Sequence, residues 1–467
     1  MNSLREMLIY GIGIFVLKGL GFIMMPIVTR MLTQVDYGEL NFLVSIASMV
    51  SLFLTLGLGD ILFRFASGQV KEDNEAVMRQ CFRLSLLCAV TFLCLALPFS
   101  GLIMSWLPVT LRLFDLQLLL ISLSLSSLLT VPYCYFRMTH QAVPFMVFSI
   151  AQGSLQTALS IGLLMAGYGV TGMMLSSAIS SSVIAIAVLV YFRANLQGRR
   201  ANFTLDHYRY IGFIVCSGFF VYCLNGAENW LVVIHLGKQQ LAIFFAAGQF
   251  GLMISVAFEP FRMWWYARRF KIHDTNPDLG AKYAVLGVQI GMLLAGSMLF
   301  MAPIMMDIIL PESYRESISL IPWICLIMVL RFNSELLNIG CFLKQNARWA
   351  TIIGGCCALH LLVVGYWAVE AYGLIGLLNT MVLTGLIRYI LFYVISQRLV
   401  YLSYRKLHLL TSWGIFMILL SVNMSKISGY RVIEFILLAI NCLLLLYFYR
   451  DLWRGLQFSA WRRYISH

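Results

Sequence analysis

Charge is scarce in this sequence. Only 11% of its 467 residues are Asp, Glu, Lys or Arg, against about a quarter in an average soluble domain. Hydrophobic residues make up 61%, and a water-soluble fold of this size could not cover so much apolar surface, which excludes soluble enzymes. Disordered chains are poor in apolar residues, so disorder is excluded too. Catalytic and metal signatures are also missing. There is no P-loop, no H-E-x-x-H, no C-x-x-C and no Cys/His zinc spacing. No carboxylate pair has the look of an acid/base couple. The eleven cysteines, an odd number, sit mostly in apolar runs and read as small apolar residues in helix interfaces. Of the seven histidines only His360 lies well inside an apolar run, where it reads as a hydrogen-bonded core residue. A cleavable signal peptide is not expected, because residues 8–29 are too long for an h-region and lack a small-residue cleavage site.

What is present is a series of apolar stretches. A helix needs roughly 20 apolar residues to cross the hydrocarbon, and such runs occur at 8–29, 40–63, 81–106, 113–136, 145–166, 171–192, 210–234, 241–261, 283–309, 318–342, 351–369, 374–396, 408–422 and 432–449. The expected fold class is therefore an all-α polytopic membrane protein with about 14 transmembrane helices. Placing the N-terminus inside puts 24 of the 33 Lys and Arg in inside segments and six in outside ones. The other three, Lys18, Arg331 and Arg388, fall within spans. This asymmetry obeys the positive-inside rule and predicts cytoplasmic termini. It also accounts for the net charge of +13 without nucleic acid, through topology and anionic lipid headgroups. No connecting loop is long enough for a soluble domain; the longest polar stretches are Arg193–Arg209 and Arg262–Lys282.

The chain repeats itself at an offset of 204 residues. Gly167-Tyr168-Gly169-Val170-Thr171-Gly172 returns as Ala371-Tyr372-Gly373-Leu374-Ile375-Gly376, Gln141 falls on Gln345, Arg64 on Arg268, Leu32 on Leu236, Met49 on Met253 and Ser51 on Ser255. The expected organisation is an N-lobe of helices 1–6 (1–199), a C-lobe of helices 7–12 (200–400), and a C-terminal appendix of helices 13 and 14 with a tail (401–467). An even helix count per copy gives the copies the same orientation, the parallel-repeat arrangement of transporters that carry substrate near the midplane between two lobes. An enzyme has no need of such pseudo-symmetry.

Several charges fall inside the apolar runs: Lys18, Glu228, Arg331, Glu335 and Arg388, with Asp60 and Arg64 near the inner end of helix 2. Each central Lys, Arg or Asp costs roughly 2.5–3.5 kcal/mol if it faces lipid, so they must face a wet cavity or a partner. Arg331 and Glu335 have the i,i+4 spacing of an intrahelical pair. Glu228 is a candidate partner for Lys18. It could also, with Asn225 and Asn229 nearby, hold a proton or a cation, or form a plain buried helix contact. Arg64 and Arg268 read as interfacial residues snorkelling to headgroups. Lys18 and Arg388 lack a local partner and are the leading ligand candidates. Lys18, Arg331 and Arg388 against Glu228 and Glu335 leave the lining net cationic, which suits an anionic substrate such as a phosphate. Tyr133, Tyr135, Tyr222, Trp230, Trp264 and Trp265 could stack on sugar rings or serve as interfacial anchors. No cofactor is expected, and without an ATP site the energy must come from an ion gradient, the membrane potential or the substrate's own gradient.

The opening Lys18-x7-Pro26-x2-Thr29-Arg30-x-Leu32-Thr33-x2-Asp36-Tyr37-Gly38, followed by Leu56-Gly57-Leu58 and Arg64-Phe65, resembles that of polysaccharide-unit flippases, the Wzx-type members of the MOP (MATE-like) exporter superfamily. The T-R-x-L…D-Y-G turn is the specific part. The resemblance implies two six-helix bundles around a cationic cavity. It implies flipping of an undecaprenyl-diphosphate-linked oligosaccharide from the inner to the outer leaflet of the bacterial cytoplasmic (inner) membrane, for O-antigen, capsule or exopolysaccharide. It carries a cavity role most directly to Lys18 and less directly to Arg64, Arg331 and Arg388. Asp60, Glu228, Glu335 and Asn225 stand as coupling or charge-pair candidates, for H+, Na+ or the membrane potential. Membrane lipids and polysaccharide polymerase or assembly proteins are the expected partners, and a monomer is the simplest state. The rival readings are a peptidoglycan lipid-precursor flippase, a cation-coupled multidrug exporter of the same superfamily, whose cavity should lean acidic, and a membrane polymerase or ligase, which should carry a large outer loop.

Overall fold

The computed structural model describes residues 19–21, 23–65, 71–343, 348–425 and 430–450. Lys18, Gln345, the first part of the span expected at 8–29 and the tail from 451 lie outside these residues. Everything regular among the described residues is helical. The helices are α1 (Gly19–Met31), α2 (Gln34–Thr55), α3 (Leu58–Phe65), α4 (Lys71–Ala96), α5 (Ser100–Trp106), α6 (Leu113–Met138), α7 (Ala142–Met165), α8 (Gly169–Phe192), α9 (Leu205–Asn225), α10 (Glu228–Thr275), α11 (Pro277–Ile309), α12 (Ile321–Leu336), α13 (Arg348–Leu399), α14 (Lys406–Ser425) and α15 (Tyr430–Phe448). Among the described residues, eleven helical stretches are long and apolar enough to cross a membrane. Two of these are double. At 1.5 Å per residue, α10 with 48 residues and α13 with 52 would be about 70–80 Å long, more than twice the hydrocarbon thickness. Each is broken by a glycine in a backbone conformation closed to other residues: Gly237 (φ 81°, ψ −178°) and Gly373 (φ 62°, ψ −147°). Counting each half separately, joining α9 to the first part of α10 as one broken pass, and adding α1 gives the fourteen passes expected from hydropathy.

The breaks themselves keep the 204-residue offset. Gly169 and Gly373 both have positive φ. The α1–α2 junction at Thr33 falls on Gly237. The α2–α3 break at Leu56, in αL at φ 49°, falls on Pro260 inside α10. Pro132 inside α6 falls on Leu336, where α12 ends. Equivalent places in the two copies thus carry a break, a proline or a helix end. Gly373 sits in a region of φ/ψ space that is almost Gly-only, so Gly373→Ala is expected to destabilise the protein by about 1–3 kcal/mol. Thermal unfolding of the purified variant in detergent checks this.

Several expected spans are interrupted, the one at 40–63 among them, at Leu56–Gly57. The span expected at 81–106 is interrupted at Leu97–Phe99, where Pro98 cannot continue the helix and α5 restarts at Ser100. The span expected at 210–234 is interrupted at Gly226–Ala227.

The chain forms two compact units, Met1–Ile243 and Phe244–His467. In the first, α6 is central and packs on α2, α3, α4 and α8, with Leu58, Ile61, Met78, Val131 and Phe136 in one core cluster. In the second, α11 is central and packs on α12, α14 and α15. Polar side chains stitch the C-terminal pair to it. Gln289 Nε2 donates to Ser412 Oγ at 2.8 Å, and Asn423 Nδ2 donates to the Leu299 carbonyl at 3.3 Å and, between α14 and α15, to Glu434 Oε1 at 2.6 Å. Such interhelical bonds replace hydrophobic drive where lipid is the solvent. All eleven cysteines are free. Six are buried, while Cys94, Cys216, Cys356 and Cys442 are exposed on apolar helix surface.

Candidate functional site

The intramembrane charges of the second unit converge on one carboxylate. Glu335, on the last turn of α12, accepts Arg331 Nε at 3.1 Å from one turn back, the i,i+4 pair legible in the spacing. Arg262 of α10 approaches its other oxygen at 3.9 Å. Arg262 also donates to Glu259, one turn earlier on α10. From α13, Arg388 interacts electrostatically with both Glu335 and Arg331. Its guanidinium lies 5.7 Å from the Phe392 ring, and its buried Nε has no hydrogen bond among the described residues. Three guanidiniums and two carboxylates leave the cluster at +1. Glu335 is 15% exposed and Arg331 35%, so the acid is the inner element and Arg331 the accessible face. Arg269, two turns beyond Arg262, is buried among rings, 4.2 Å from Tyr266 and 5.2 Å from Phe342. Arg262 falls just past the apolar run at 241–261 and counts there as an inside-segment cation, while Glu259 lies within that run and is not among the charges marked in it. In fact α10 runs on to Thr275. The missed signal was their i,i+3 spacing.

In the first unit the charges do not gather in this way. Asp60 and Arg64 are both exposed on α3. Arg64 lies over the Tyr210 ring at 4.3 Å, and its repeat mate Arg268, also exposed, lies 5.6 Å from Trp264. Both are amphipathic cations resting on aromatic faces. Asn225 is exposed and donates to the Val221 carbonyl at 2.9 Å, closing its own helix end. Glu228 is buried in the first turn of α10, so these two neighbours in sequence face different surroundings. Lys18 lies outside the described residues. One ion pair largely buried in this unit joins residues outside the expected set: Lys238 Nζ to Glu39 Oε2, 2.7 Å, with both side chains largely covered. Beside it Asp115 is fully buried and sits among Thr171, Glu39 and Arg112. Glu39 and Lys238 are 199 residues apart, so no local pattern reveals them.

The aromatic candidates divide. Trp265 and Tyr135 are core residues. Trp230 Nε1 donates to Tyr222 Oη at 2.7 Å, and Tyr133 Oη donates to Gln152 Oε1 at 3.3 Å. His360 Nδ1 lies 2.9 Å from Thr384 Oγ1, the hydrogen-bonded role expected of it.

The opening motif proves structural. Thr33 Oγ1 caps α2 by accepting the Asp36 N–H at 3.1 Å and donates to Asp36 Oδ2 at 2.7 Å, a reciprocal cap. Tyr37 is buried. A Cβ on Gly38 would lie 1.9 Å from the Lys238 carbonyl oxygen. Leu56-Gly57 forms the α2–α3 break, into which α9 fits. A Cβ on Gly57 would lie 2.3 Å from Ile214 Cγ2.

A family model described as "polysaccharide biosynthesis protein" matches residues 3–266, more than half of the chain. No curated protein matches in sequence. Among solved structures the chain is similar to the lipid II flippase MurJ in an inward closed conformation, with a TM-score of 0.67, 15% identity, and coverage of 96% of this chain and 99% of that one. It is similar to a MOP superfamily transporter from Pyrococcus furiosus, reported with a binding pocket of reversed polarity (TM-score 0.62, 17% identity, 85% and 95% covered). It is similar also to a MATE transporter in complex with MaD3S (TM-score 0.59, 16% identity, 85% and 95% covered). At these identities the likeness is one of fold: a polytopic helical membrane protein of the MOP transporter architecture.

Proposed function

We propose that this chain, which belongs to the polysaccharide biosynthesis protein family, is a flippase that moves an undecaprenyl-diphosphate-linked oligosaccharide from the inner to the outer leaflet of a bacterial cytoplasmic membrane by alternating access. The observation that carries the reading is the net-cationic cluster of Arg262, Arg331 and Arg388 around Glu335. Arg331 and Arg388, which fall within the apolar spans, cost too much to serve as filler, and the planar forks of all three guanidiniums suit phosphate oxygens. Arg331, the most accessible, is the first contact for the diphosphate, and Arg388 lies behind it. Lys18, placed by the resemblance, is the corresponding cation of the first half.

The energetics are compatible. A diphosphate carries about two negative charges, and moving them outward against an inside-negative potential is downhill by about 2.3 kcal/mol per charge per 100 mV. Coupling to H+ or Na+ would draw on carboxylates such as Glu335 and Glu228. A cation-exporting role is disfavoured by the sign of the cluster. Transport of a peptidoglycan lipid precursor is the second reading, favoured by similarity to the MurJ fold over almost the whole of both chains; it shares the diphosphate and differs in the sugar.

Lipid extraction from a strain lacking the protein tests both. Undecaprenyl-diphosphate-linked oligosaccharide should accumulate on the cytoplasmic leaflet. Wild type should clear it, and Lys18→Ala or Arg388→Gln, present at normal levels, should not. Accumulation of the peptidoglycan precursor instead selects the second reading. Unchanged surface glycans with no accumulated lipid-linked sugar overturn both.

A further inference from the structure

The segment from Arg193 to Thr204, which connects α8 to α9 and so joins the two copies of the repeat, is a built loop. Its anchor comes from α4. Arg79 Nε donates to the Asn195 carbonyl at 2.8 Å and Nη1 donates to the Arg199 carbonyl at 3.1 Å. The guanidinium is fixed in turn by Glu75 at 2.6 Å and is only 11% exposed. The Ala201 N–H donates to the Ala76 carbonyl at 3.0 Å. Leu196, Ala201 and Phe203 pack against the core cluster of the first unit. At the far end Thr204 and His207 form a capping box for α9, and Phe203 stacks on His207 at 4.7 Å. The turn is made by Gly198 at φ +114°, where a Cβ would stand 3.0 Å from Arg79 Nη1.

None of this anchoring uses the arginine side chains of the loop itself, which are left over. Arg193, Arg199 and Arg200 are exposed, and among the described residues none of them has an ion pair, whereas Arg209 beyond the loop lies 3.7 Å from Asp206. Tyr191 and Tyr208, 54% and 48% exposed, flank the loop on either side, the placement of aromatics at the headgroup level of a bilayer. Three unneutralised guanidiniums on a fixed loop at that level present bidentate donors to phosphodiester oxygens.

We propose that the Arg193–Thr204 loop is a preformed binding site for the headgroup of an anionic phospholipid, with Arg193, Arg199 and Arg200 as its ligands and Arg79 and Gly198 as the residues that position them. A zwitterionic headgroup brings its own ammonium to the phosphate and gains less. The site stands apart from the flippase reading and needs no transport substrate.

The test is lipid retention by the purified full-length protein, exchanged into detergent with equal phosphatidylglycerol and phosphatidylcholine and read by native mass spectrometry. Wild type should retain phosphatidylglycerol preferentially. Each arginine near an anionic surface is worth roughly fivefold in binding, so Arg193→Gln with Arg199→Gln and Arg200→Gln should erase the preference, while Arg209→Gln should leave it. Gly198→Ala changes no charge, yet strains the turn and crowds Arg79; it should lose most of the preference, and Arg79→Gln should do likewise. Each variant is compared at matched monodispersity. A Gly198→Ala and an Arg79→Gln protein that both keep wild-type preference would show diffuse charge attraction and overturn the built site. A triple variant that keeps it would overturn the loop as the location. Displacement of the lipid by inorganic phosphate alone would overturn the lipid in favour of a free-phosphate site.

Discussion

Replacing Glu335 by glutamine is expected to destabilise the protein by about 3–5 kcal/mol, the range for leaving a buried charge uncompensated, and replacing Arg331 by glutamine by about 1 kcal/mol. The asymmetry follows from position. Glu335 is the common neighbour of Arg331 at 3.1 Å, Arg262 at 3.9 Å and, through space, Arg388. Remove its charge and three guanidiniums face one another across a mostly buried site, with Glu259 as the remaining nearby acid. Remove Arg331 and Glu335 keeps Arg262 and Arg388, while the lost side chain was 35% exposed and partly served by solvent. Thermal unfolding in detergent measures both, and the double variant closes the cycle. A second readout ties the cluster to its proposed ligand. Inorganic pyrophosphate should raise the melting temperature of the Glu335→Gln protein more than that of wild type, because it supplies the missing negative charge to the freed arginines. If Glu335→Gln melts within about 1 kcal/mol of wild type, the guanidiniums are individually hydrated and the cluster is not a site.

The reasons this cluster was half legible in the sequence are geometric. Arg331 and Glu335 declare themselves because a helix brings i and i+4 together whatever else the chain does. Arg388 could be marked as costly, but its partners come from other helices, and one sequence contains no signal for which helix faces which. Arg262 was covered by topology, as a cation just past the apolar run at 241–261, and Glu259 lies inside that run beside Pro260, which sits within α10. The same division runs through the fold. Hydropathy located the passes because hydrocarbon thickness imposes a length. It could not locate the interruption at Gly226–Ala227, because Asn225, Glu228 and Asn229 around it are too few to end the apolar run at 210–234. Gly373 was marked by the repeat, since Gly169 occupies the equivalent place. Glu39 and Lys238 went unnoticed because each was read by its own loop, and the charge of a loop residue seems already explained by topology.

Gly38→Ala is expected to be the most damaging single methyl in the chain. The added Cβ would lie 1.9 Å from the Lys238 carbonyl oxygen, 2.6 Å from its carbonyl carbon and 3.1 Å from its Cα. These are backbone atoms, so no rotamer change relieves the clash. The backbone there is pinned as well. Gly237 immediately precedes it at φ 81°, and Lys238 Nζ is held both by Glu39 Oε2 at 2.7 Å and by the Thr110 carbonyl. Relief requires α2 to move away from the α10 break. That movement stretches the Glu39–Lys238 pair, whose two side chains are only 11% and 15% exposed, and the contact of Gln34 with Gln239 at 3.0 Å. Overpacking against backbone with loss of a buried pair belongs to the severe class, above about 4 kcal/mol. The expected result is little monodisperse protein from membranes. Lys238→Met paired with Glu39→Leu, which removes the ion pair but leaves Gly38, should cost far less, since an apolar pair of similar volume avoids stranding either charge. Comparing the two by yield and melting temperature separates the roles. A Gly38→Ala protein that melts like wild type would mean that α2 and the 237–238 turn are not in contact, and the D-Y-G turn would then need an explanation other than close packing.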